Sequence, residues 1–448
     1  MARRRRRKLP LEPIEVEVTD LAHDGRGVGR CDGKAVFVHG ALPGEVVRAK
    51  VIDRARKYDE AITVEVLTAS NDRVKPECEW FDRCGGCALQ HLESGAQRHW
   101  KHKRLVDNLE RLGEVQPERW LEPITAEPWF YRRRARMSAR LVKGKGRVLV
   151  GFREPQGRFV ADVGHCRVLH ERFSHRLESF SDLVGELSVA SAIPQIEIAA
   201  GDDTGAMVLR HLEPLTPDDL MRLKAWSEDC GIAVYLQSKG PDTVFRLTPD
   251  DHQLSYRLET YDLEMLFTPQ QFIQVNASIN GQLIDSALEL LDLQGNERVL
   301  DLFCGLGNFS LPLARKAAHV TGIEGLDDLV ESARSNARHN GISNCAFDAA
   351  DLSEDVSQRD WYRAGFDAVL IDPPRSGALE ILPLVAGCGA ESVVYVSCNP
   401  ATLARDAGEL VKKHGFRLKA AGIADMFPHT AHVESIALFE RSTNASRN

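Results

Sequence analysis

Apolar and polar residues alternate one for one through IEVEVTDL, KAVFVHG, GEVVRAKVID and AITVEVL, segments that fall between residues 10 and 70 and are separated by glycine turns. Alternation with period two puts one face of a strand inward, and short strands at this spacing predict a small β-barrel. The period changes in HWKHKRLVDNLERL, where Leu105, Leu109 and Leu112 recur at three to four residues among lysines and arginines. That spacing predicts an amphipathic helix with all three leucines on its inward face. Strand patterns return from about 125 to 265 in RVLVGF, QIEIAA, AMVLRH, IAVYLQS and TVFRL, which predicts an antiparallel α+β domain. Beyond about 266, strands (VLDLF, HVTGIE, FDAVLID, SVVYVS) alternate with helical segments such as LDDLVESARSNARHN, the rhythm of a doubly wound α/β sheet. The chain of 448 residues thus divides into 1–70, 71–265 and 266–448, each long enough to bury a core.

Charge modifies this picture locally. The net charge of -8 argues against a nucleic-acid binder, yet Arg3 to Lys8 are all cationic and Arg132, Arg133, Arg134 and Arg136 form a second knot. A phosphate footprint is set by local patches and not by the sum. The first run equally fits a disordered tail, and the two readings are compatible. No apolar run approaches the roughly 18 residues of a membrane span, and the arginine block is not a signal peptide, so a soluble cytoplasmic protein is expected. In that compartment ten cysteines point to metal binding or catalysis in preference to disulfides.

The candidate chemistry gathers at the carboxyl ends of the last domain's strands, where open α/β sheets place their ligands. Residues 301–310, DLFCGLGNFS, follow the first strand with Gly305 and Gly307, but Phe309 and Ser310 depart from the dinucleotide pattern G-x-G-x-x-G. A Rossmann-like methyltransferase fits better than a dehydrogenase. Glu324 ends the second strand, where a carboxylate can accept hydrogen bonds from both ribose hydroxyls of an adenosine. Asp351 follows the third strand and Asp372 ends the fourth in LIDPPR, with Arg375 at the rim. The fifth strand delivers Cys398 in VSCNP, ahead of a helix whose dipole is expected to lower the thiol pKa. A thiolate there can add to an electron-poor ring. Methylation at C5 of a pyrimidine needs that step, because C5 becomes nucleophilic only once a thiol has added at C6. Glu434, in FPHTAHVE at the head of the final strand, suits removal of the C5 proton, with His429 and His432 as candidates for shaping its surroundings. Cys304, Cys345 and Cys388 read as inert buried thiols.

Cys78, Cys84 and Cys87 are spaced C-x5-C-G-G-C, and a fourth ligand is available in Cys166; the chemistry of four thiolates leaves zinc and an iron-sulfur cluster open. The glycines of HDGRGVGR and the ALPGE turn make the first 70 residues similar to a TRAM domain, an OB-like RNA-binding module. FIQVN (272–276), DLFCGLGNFS, LIDPPR, VSCNP and FPHTAHVE together resemble the RNA uracil-C5 methyltransferase family across the whole C-terminal domain. The resemblance implies S-adenosyl-L-methionine (SAM) as cofactor, held by Gln274, Phe303, Asn308, Glu324, Asp351 and Asp372, with Cys398 as nucleophile and Glu434 as base. It also implies a structural [4Fe-4S] cluster on Cys78, Cys84, Cys87 and Cys166. Having both TRAM domain and cluster, the chain resembles the branch acting on 23S rRNA, with no obligate protein partner evident. The expected architecture is therefore multidomain: an N-terminal OB-like β-barrel, a central α+β domain with the cluster, and a C-terminal α/β Rossmann-like class I methyltransferase domain. A tRNA-directed relative is the alternative within the family. A non-catalytic RNA-binding protein that keeps the methyltransferase fold has no need of Cys398 and Glu434, and a cluster-based redox enzyme differs in requiring a reductant. Radical SAM methylthiotransferases resemble C-x3-C-x2-C with the TRAM domain at the C-terminus, and this chain departs on both points.

Overall fold

The structure, a computed structural model, describes residues 9–248 and 253–442; the basic run from Arg3 to Lys8 lies outside them. Two compact units are present, one formed by Met1–Arg104 with Phe427–His432 and the other by Leu105–Met426 with Val433–Asn448.

In the first unit the alternating segments form a closed five-stranded barrel of β1 (Ile14–Leu21), β2 (Gly27–Cys31), β3 (Lys34–His39), β4 (Val46–Arg54) and β5 (Tyr58–Thr68), in the order β1-β2-β3-β5-β4. Val16, Val18, Val36, Val38, Val47, Ala49 and Ala61 fill it, the inward set that period-two alternation selects. Gly29 has no room for a side chain: a Cβ there would stand 2.4 Å from the Glu17 carbonyl oxygen and from Val16 Cγ1. The buried Glu45 carboxylate of the ALPGE turn accepts from Arg73 Nε at 2.5 Å, Arg73 Nη2 at 2.8 Å and the Leu42 amide at 2.8 Å, tying the barrel to the segment that leaves it. Leu21 and Leu42 also form a second core with Leu89, Leu92 and Trp100.

The helix expected through Leu105 runs over Ser94–Asn108 and passes into a π turn at Leu109–Gly113. The wider turn breaks the helical phase. Leu105 and Leu109 are fully buried, but Leu112 is 57% exposed and does not join the inward face.

The second unit holds three sheets. A six-stranded one has the order β12-β11-β10-β9-β7-β8 and uses β7 (Arg134–Val142), β8 (Arg147–Gly151), β9 (Gln195–Ala200), β10 (Gly205–Arg210), β11 (Ile232–Gln237) and β12 (Val244–Arg246). It is mixed and not purely antiparallel: β10 and β11 are parallel, because helix Pro217–Cys230, opened by a Thr216–Asp219 capping box, carries the chain back over the sheet between them. Part of the arginine knot is tied into the fold, although Arg136 stays 69% exposed. Arg133 pairs with Asp202 at 2.5 Å, Arg136 Nε bonds Glu197 at 2.9 Å, and Arg134 donates to the Gln271 and Gln270 carbonyls at 2.5 and 2.8 Å. Arg134 thus anchors the backbone that enters FIQVN.

A hairpin of β13 (Leu254–Leu258) and β14 (Leu263–Phe267) precedes the largest sheet. That sheet runs β17-β16-β15-β18-β19-β21-β20-β6, with β6 (Arg119–Trp120), β15 (Arg298–Leu302), β16 (His319–Glu324), β17 (Cys345–Ala349), β18 (Ala368–Ile371), β19 (Ser392–Ser397), β20 (Phe416–Ala424) and β21 (Glu434–Arg441). Strands β15 to β19 are mutually parallel, whereas β21 runs antiparallel to both β19 and β20. The order reverses at β15, which opens a crevice at the strand ends between β15 and β18. Among the described residues no helix is long and apolar enough to cross a membrane.

The shared core of Leu21, Leu42, Leu89 and Trp100 makes removal of residues 1–70 a poor test of RNA binding, since it opens that core. Deleting residues 2–8 leaves every described residue in place. RNA affinity should then fall less steeply with salt than in the full chain, because each lost phosphate contact removes about 0.7 to 0.9 from the log–log slope. An unchanged slope in filter binding between low and moderate salt would mean that the arginine run makes no phosphate contact.

Candidate active site

Five strand ends and one strand beginning build the site. Phe303, directly after β15, adopts φ +66°, and its amide bonds the Ile323 carbonyl at 2.9 Å, so the glycine turn is drawn toward the end of β16. There the Glu324 carboxylate accepts from the Gly305 amide at 3.1 Å and the Gly325 amide at 2.8 Å. Both oxygens are oriented before any ligand arrives. Asp351 is exposed, and the Ser353 hydroxyl and amide, bonding it at 2.7 and 2.9 Å, hold its carboxyl below the ordinary value. Phe303, Glu324 and Asp351 all line one cavity of about 640 Å³, together with Ser353, Pro374 and Arg405.

The remaining residues expected to hold a cofactor lie off that lining. Gln274 is half-buried between Ile273 and Val275. The Asn308 side chain is engaged by neighbours: its Oδ1 accepts from Tyr256 Oη at 2.9 Å and Asn280 Nδ2 at 2.9 Å, and its Nδ2 donates to Asn280 Oδ1 at 3.0 Å. Asp372 keeps some exposed surface but lies deep in the unit, and that depth pushes its carboxyl up to about 7.

Cys398 and Glu434 are brought together by sheet register. Ser397, at the end of β19, pairs with Ser435 near the start of β21, so the next position on each strand puts Cys398 opposite Glu434. Burial raises the Cys398 thiol above its ordinary pKa, the Glu434 and Asp372 charges add to this, and Arg375 opposes it by charge and by a hydrogen bond to the sulfur. The expected lowering by the helix dipole is therefore overturned. The helix Pro400–Lys413 does start there, but Asn399 caps it through the Ala401 amide at 3.2 Å, and burial beside two carboxyls outweighs what remains. Glu434 is 4% exposed, and burial together with the Asp372 charge raises its pKa well above a normal carboxyl, against Arg375. Cys345 is pushed up to about 12 by burial, and Cys304 and Cys388 are buried and raised, in keeping with inert thiols.

In the first unit, Cys78, Cys84 and Cys87 occupy one turn-rich loop and are half-buried. Cys84 Sγ accepts the Gly86 amide at 3.4 Å, and the Cys78 amide donates to Gln90 Oε1 at 3.2 Å. His429 belongs to the same unit, where its carbonyl receives the Ala88 and Leu89 amides, both at 2.9 Å, immediately after Cys87. His432 packs against Phe427 with ring centroids 5.3 Å apart and the ring planes inclined at 53°. Cys166 lies in the second unit and is half-buried. Among the described residues no cluster of three or more His, Cys, Asp or Glu side chains is assembled as a metal site.

A parallel sheet with a reversed last strand, acids at consecutive strand ends and a cavity large enough for a nucleoside define a Rossmann-like methyltransferase domain. The sequence model of the tRNA (uracil-5-)-methyltransferase family matches residues 210–442, and that of the TRAM domain matches residues 9–64. The chain belongs to this family of RNA uracil-C5 methyltransferases. It is 51% identical over 440 residues to the 23S rRNA (uracil(1939)-C(5))-methyltransferase RlmD of Alkalilimnicola ehrlichii, covering 98% of this chain and 99% of that protein. The RlmD of Hahella chejuensis is 50% identical over 446 residues, covering 98% and 100%. The crystal structure of Pyrococcus abyssi tRNA (uracil-54, C5)-methyltransferase, in complex with S-adenosyl-L-homocysteine, shares the fold with a TM-score of 0.73 at 24% identity, covering 95% of this chain and 99% of that one.

One group in this site carried no role in the sequence reading. Asp301, the first residue of DLFCGLGNFS, is fully buried, accepts from Ser310 Oγ at 2.5 Å and leaves Oδ1 without a partner. Burial raises its carboxyl to about 7, with the Asp372 and Glu324 charges adding to the shift. A carboxyl raised from about 4 in the unfolded chain binds its proton more tightly when folded. Its stabilisation is complete below about 4 and is lost as pH rises through about 7, by up to roughly 1.4 kcal/mol per pH unit. Asp301→Asn cannot ionise and should lose that slope. Its melting temperature should exceed that of the wild type at pH 8, with the gap narrowing as pH falls and closing near pH 4, and parallel melting curves at all pH values would contradict a raised Asp301.

Proposed function

We propose that this chain transfers a methyl group from SAM to carbon 5 of a uracil in 23S rRNA, uracil 1939 being the position named for its 50%-identical relatives. The supporting observation is the register that sets Cys398 opposite Glu434 with Arg375 on the sulfur. The relatives named for that activity cover 98% of the chain. The three parts 1–70, 71–265 and 266–448 would serve RNA binding, the cluster and methyl transfer, in a cytoplasmic enzyme.

The residues lining the cavity fit a nucleoside. Glu324 offers a carboxylate already fixed by two amides, and Phe303 and Asp351 share the lining. Gln274, Asn308 and Asp372 complete the proposed cofactor set. When bound, SAM supplies an electrophilic methyl group. Cys398 would lose its proton to solvent and add through sulfur to C6, and the displaced electron pair would make C5 the nucleophile that takes the methyl group, S-adenosyl-L-homocysteine being the leaving group. Arg375 stabilises the thiolate before addition and after release. Glu434 then removes the C5 proton, the C6–S bond breaks, and the thiolate leaves with its electron pair. A raised pKa suits Glu434 to this task, since a more basic carboxylate is a stronger proton acceptor.

A base that acts only after methyl transfer can be separated from a nucleophile that acts before it. Glu434→Gln should accumulate protein covalently joined to methylated RNA, whereas Cys398→Ala should form no adduct and lose several orders of magnitude in rate. Wild-type protein given RNA with 5-fluorouracil at the target should retain a shifted band on denaturing gels, with the label mapped to Cys398. Full methylation by Cys398→Ala would refute the covalent route, and faster methylation of tRNA than of a 23S fragment would move the substrate to tRNA.

For the cysteines, we propose a structural [4Fe-4S] cluster on Cys78, Cys84, Cys87 and Cys166. Three half-buried thiols within ten residues, one already accepting a backbone amide, are a donor set suited to such a group, because amide-to-sulfur bonds stabilise cluster thiolates. Cys166 joins them on the resemblance alone. Protein purified without oxygen should carry iron and sulfide with a visible chromophore, and Ser at any of the four positions should lose it. Stoichiometric zinc without iron in the same preparation would overturn the cluster.

A further inference from the structure

Loops at strand ends are ordinarily mobile, yet a cation that must sit on a sulfur has to be held to within about half an ångström. The segment 372–378 that carries Arg375 is such a loop, and its backbone is fastened residue by residue to the helix following Cys398. The Arg375 carbonyl accepts from Asn399 Nδ2 at 3.1 Å and Thr402 Oγ1 at 3.4 Å. The Ser376 carbonyl accepts from Arg405 Nη2 at 2.9 Å. The Ala378 amide donates to Asp406 Oδ2 at 2.7 Å. Between them Gly377 adopts φ +82°, and a Cβ there would fall 2.6 Å from Asp406 Oδ2 and 2.5 Å from Arg405 Nη2, so the loop lies directly on the helix.

Asp406 is the centre of this arrangement. Its side chain is fully buried, it accepts the Tyr395 hydroxyl at 2.7 Å besides the Ala378 amide, and it is neutralised by Arg405 at 2.7 Å. Tyr395 is itself fully buried on β19, three residues before Cys398. One carboxylate therefore joins the strand that delivers the nucleophile, the helix that follows it and the loop that brings its cation. Buried charge-assisted hydrogen bonds are strong and directional, which suits a positioning task better than packing does.

We propose that Asp406 is a positioning residue which, with Tyr395, Arg405 and Thr402, locks the 372–378 loop against the Cys398 helix and so keeps the Arg375 guanidinium on the Cys398 sulfur. This rests on the reading of Cys398 as the reacting thiol, but it is tested without RNA or methyl transfer. Arg405, Pro374, Ser376, Gly377 and Ala378 also line the 640 Å³ cavity, so the back of the same loop forms a wall of the proposed cofactor site.

The experiment is the pH dependence of Cys398 alkylation by iodoacetamide in the full chain, with the modified cysteine identified by mass spectrometry. Losing Arg375 contact disfavours the thiolate, so Asp406→Asn should move the inflection to higher pH and slow alkylation on its rising limb by about threefold or more, half a pH unit being about threefold. Arg375→Met should show a shift at least as large, and adding Asp406→Asn to it should change nothing further. Should circular dichroism find Asp406→Asn unfolded, Thr402→Val removes the hydroxyl shared between the Arg375 carbonyl at 3.4 Å and the Asn399 carbonyl at 3.0 Å, and should give a smaller shift in the same direction. An unmoved profile in the folded variant, or an Asp406→Asn effect that persists undiminished without Arg375, overturns the proposal. A fluorouracil adduct in wild type alongside such a result would leave Cys398 as nucleophile, whereas absence of that adduct would sink the reading beneath it.

Discussion

The reversed direction of β21 is the constraint on which the site depends. In a wholly parallel sheet every strand delivers its carboxyl end to the functional rim, and a group at a strand's beginning lies at the opposite edge. Here β19 ends at Ser397 and β21 begins at Glu434, and their antiparallel pairing puts an end and a beginning at the same rim. Both faces of the two strands are packed, Val393, Tyr395, Ala437 and Phe439 on one and Val394, Val396, Ile436 and Leu438 on the other. A slip of one residue would exchange these two sets, which differ in size and shape, and so mispack both cores while carrying Glu434 past Cys398. The chemistry is thus secured by the apolar core.

A second consequence is electrostatic. The pairing sets the half-buried Cys398 and the buried Glu434 within reach of the Asp372 charge and of Arg375, which approaches from the exposed rim. Both reacting groups respond by favouring their neutral forms, and they titrate as a coupled set. A thiol raised in this way is a poor target for adventitious oxidation, because reactivity follows thiolate content. Arg375 is itself exposed, so solvent can draw it away from the sulfur unless its loop is held. The fastening of its loop by Asp406 has its physical rationale in that exposure.

Much of this was legible in the sequence because strand ends are. Period-two alternation located the barrel, and the positions of Glu324, Asp372, Cys398 and Glu434 at strand termini follow from where short apolar runs stop. What escaped has common causes. Leu112 left the buried face because one π turn, invisible to a fixed period, shifted the helical phase. The β10–β11 pair became parallel because direction depends on the intervening helix crossing the sheet, which alternation cannot report. The internal partners of Arg133 and Arg134 could not be read either, because Asp202 and the 270–271 carbonyls are remote in sequence. The sign of the Cys398 shift was misjudged for the same reason: a helix start can be read locally, whereas burial beside Glu434 and Asp372 cannot.

The distribution of polar groups around the site adds a division of labour. The glycine turn is joined by amides to two neighbours: Asn308 pairs reciprocally with Asn280 on the helix Ala277–Leu291, and Asn336 links the turn to the hairpin, accepting the Leu266 amide while donating to the Leu266 and Leu306 carbonyls. These side chains carry donor and acceptor together and do not titrate. Their geometry is therefore indifferent to the protonation changes that Cys398 and Glu434 must undergo in each proposed cycle. Had the same positions been carboxylates, every proton moved at the rim would have altered the field holding the turn. At these two contacts the scaffold carries no charge of its own, so they hold while the reacting pair changes charge.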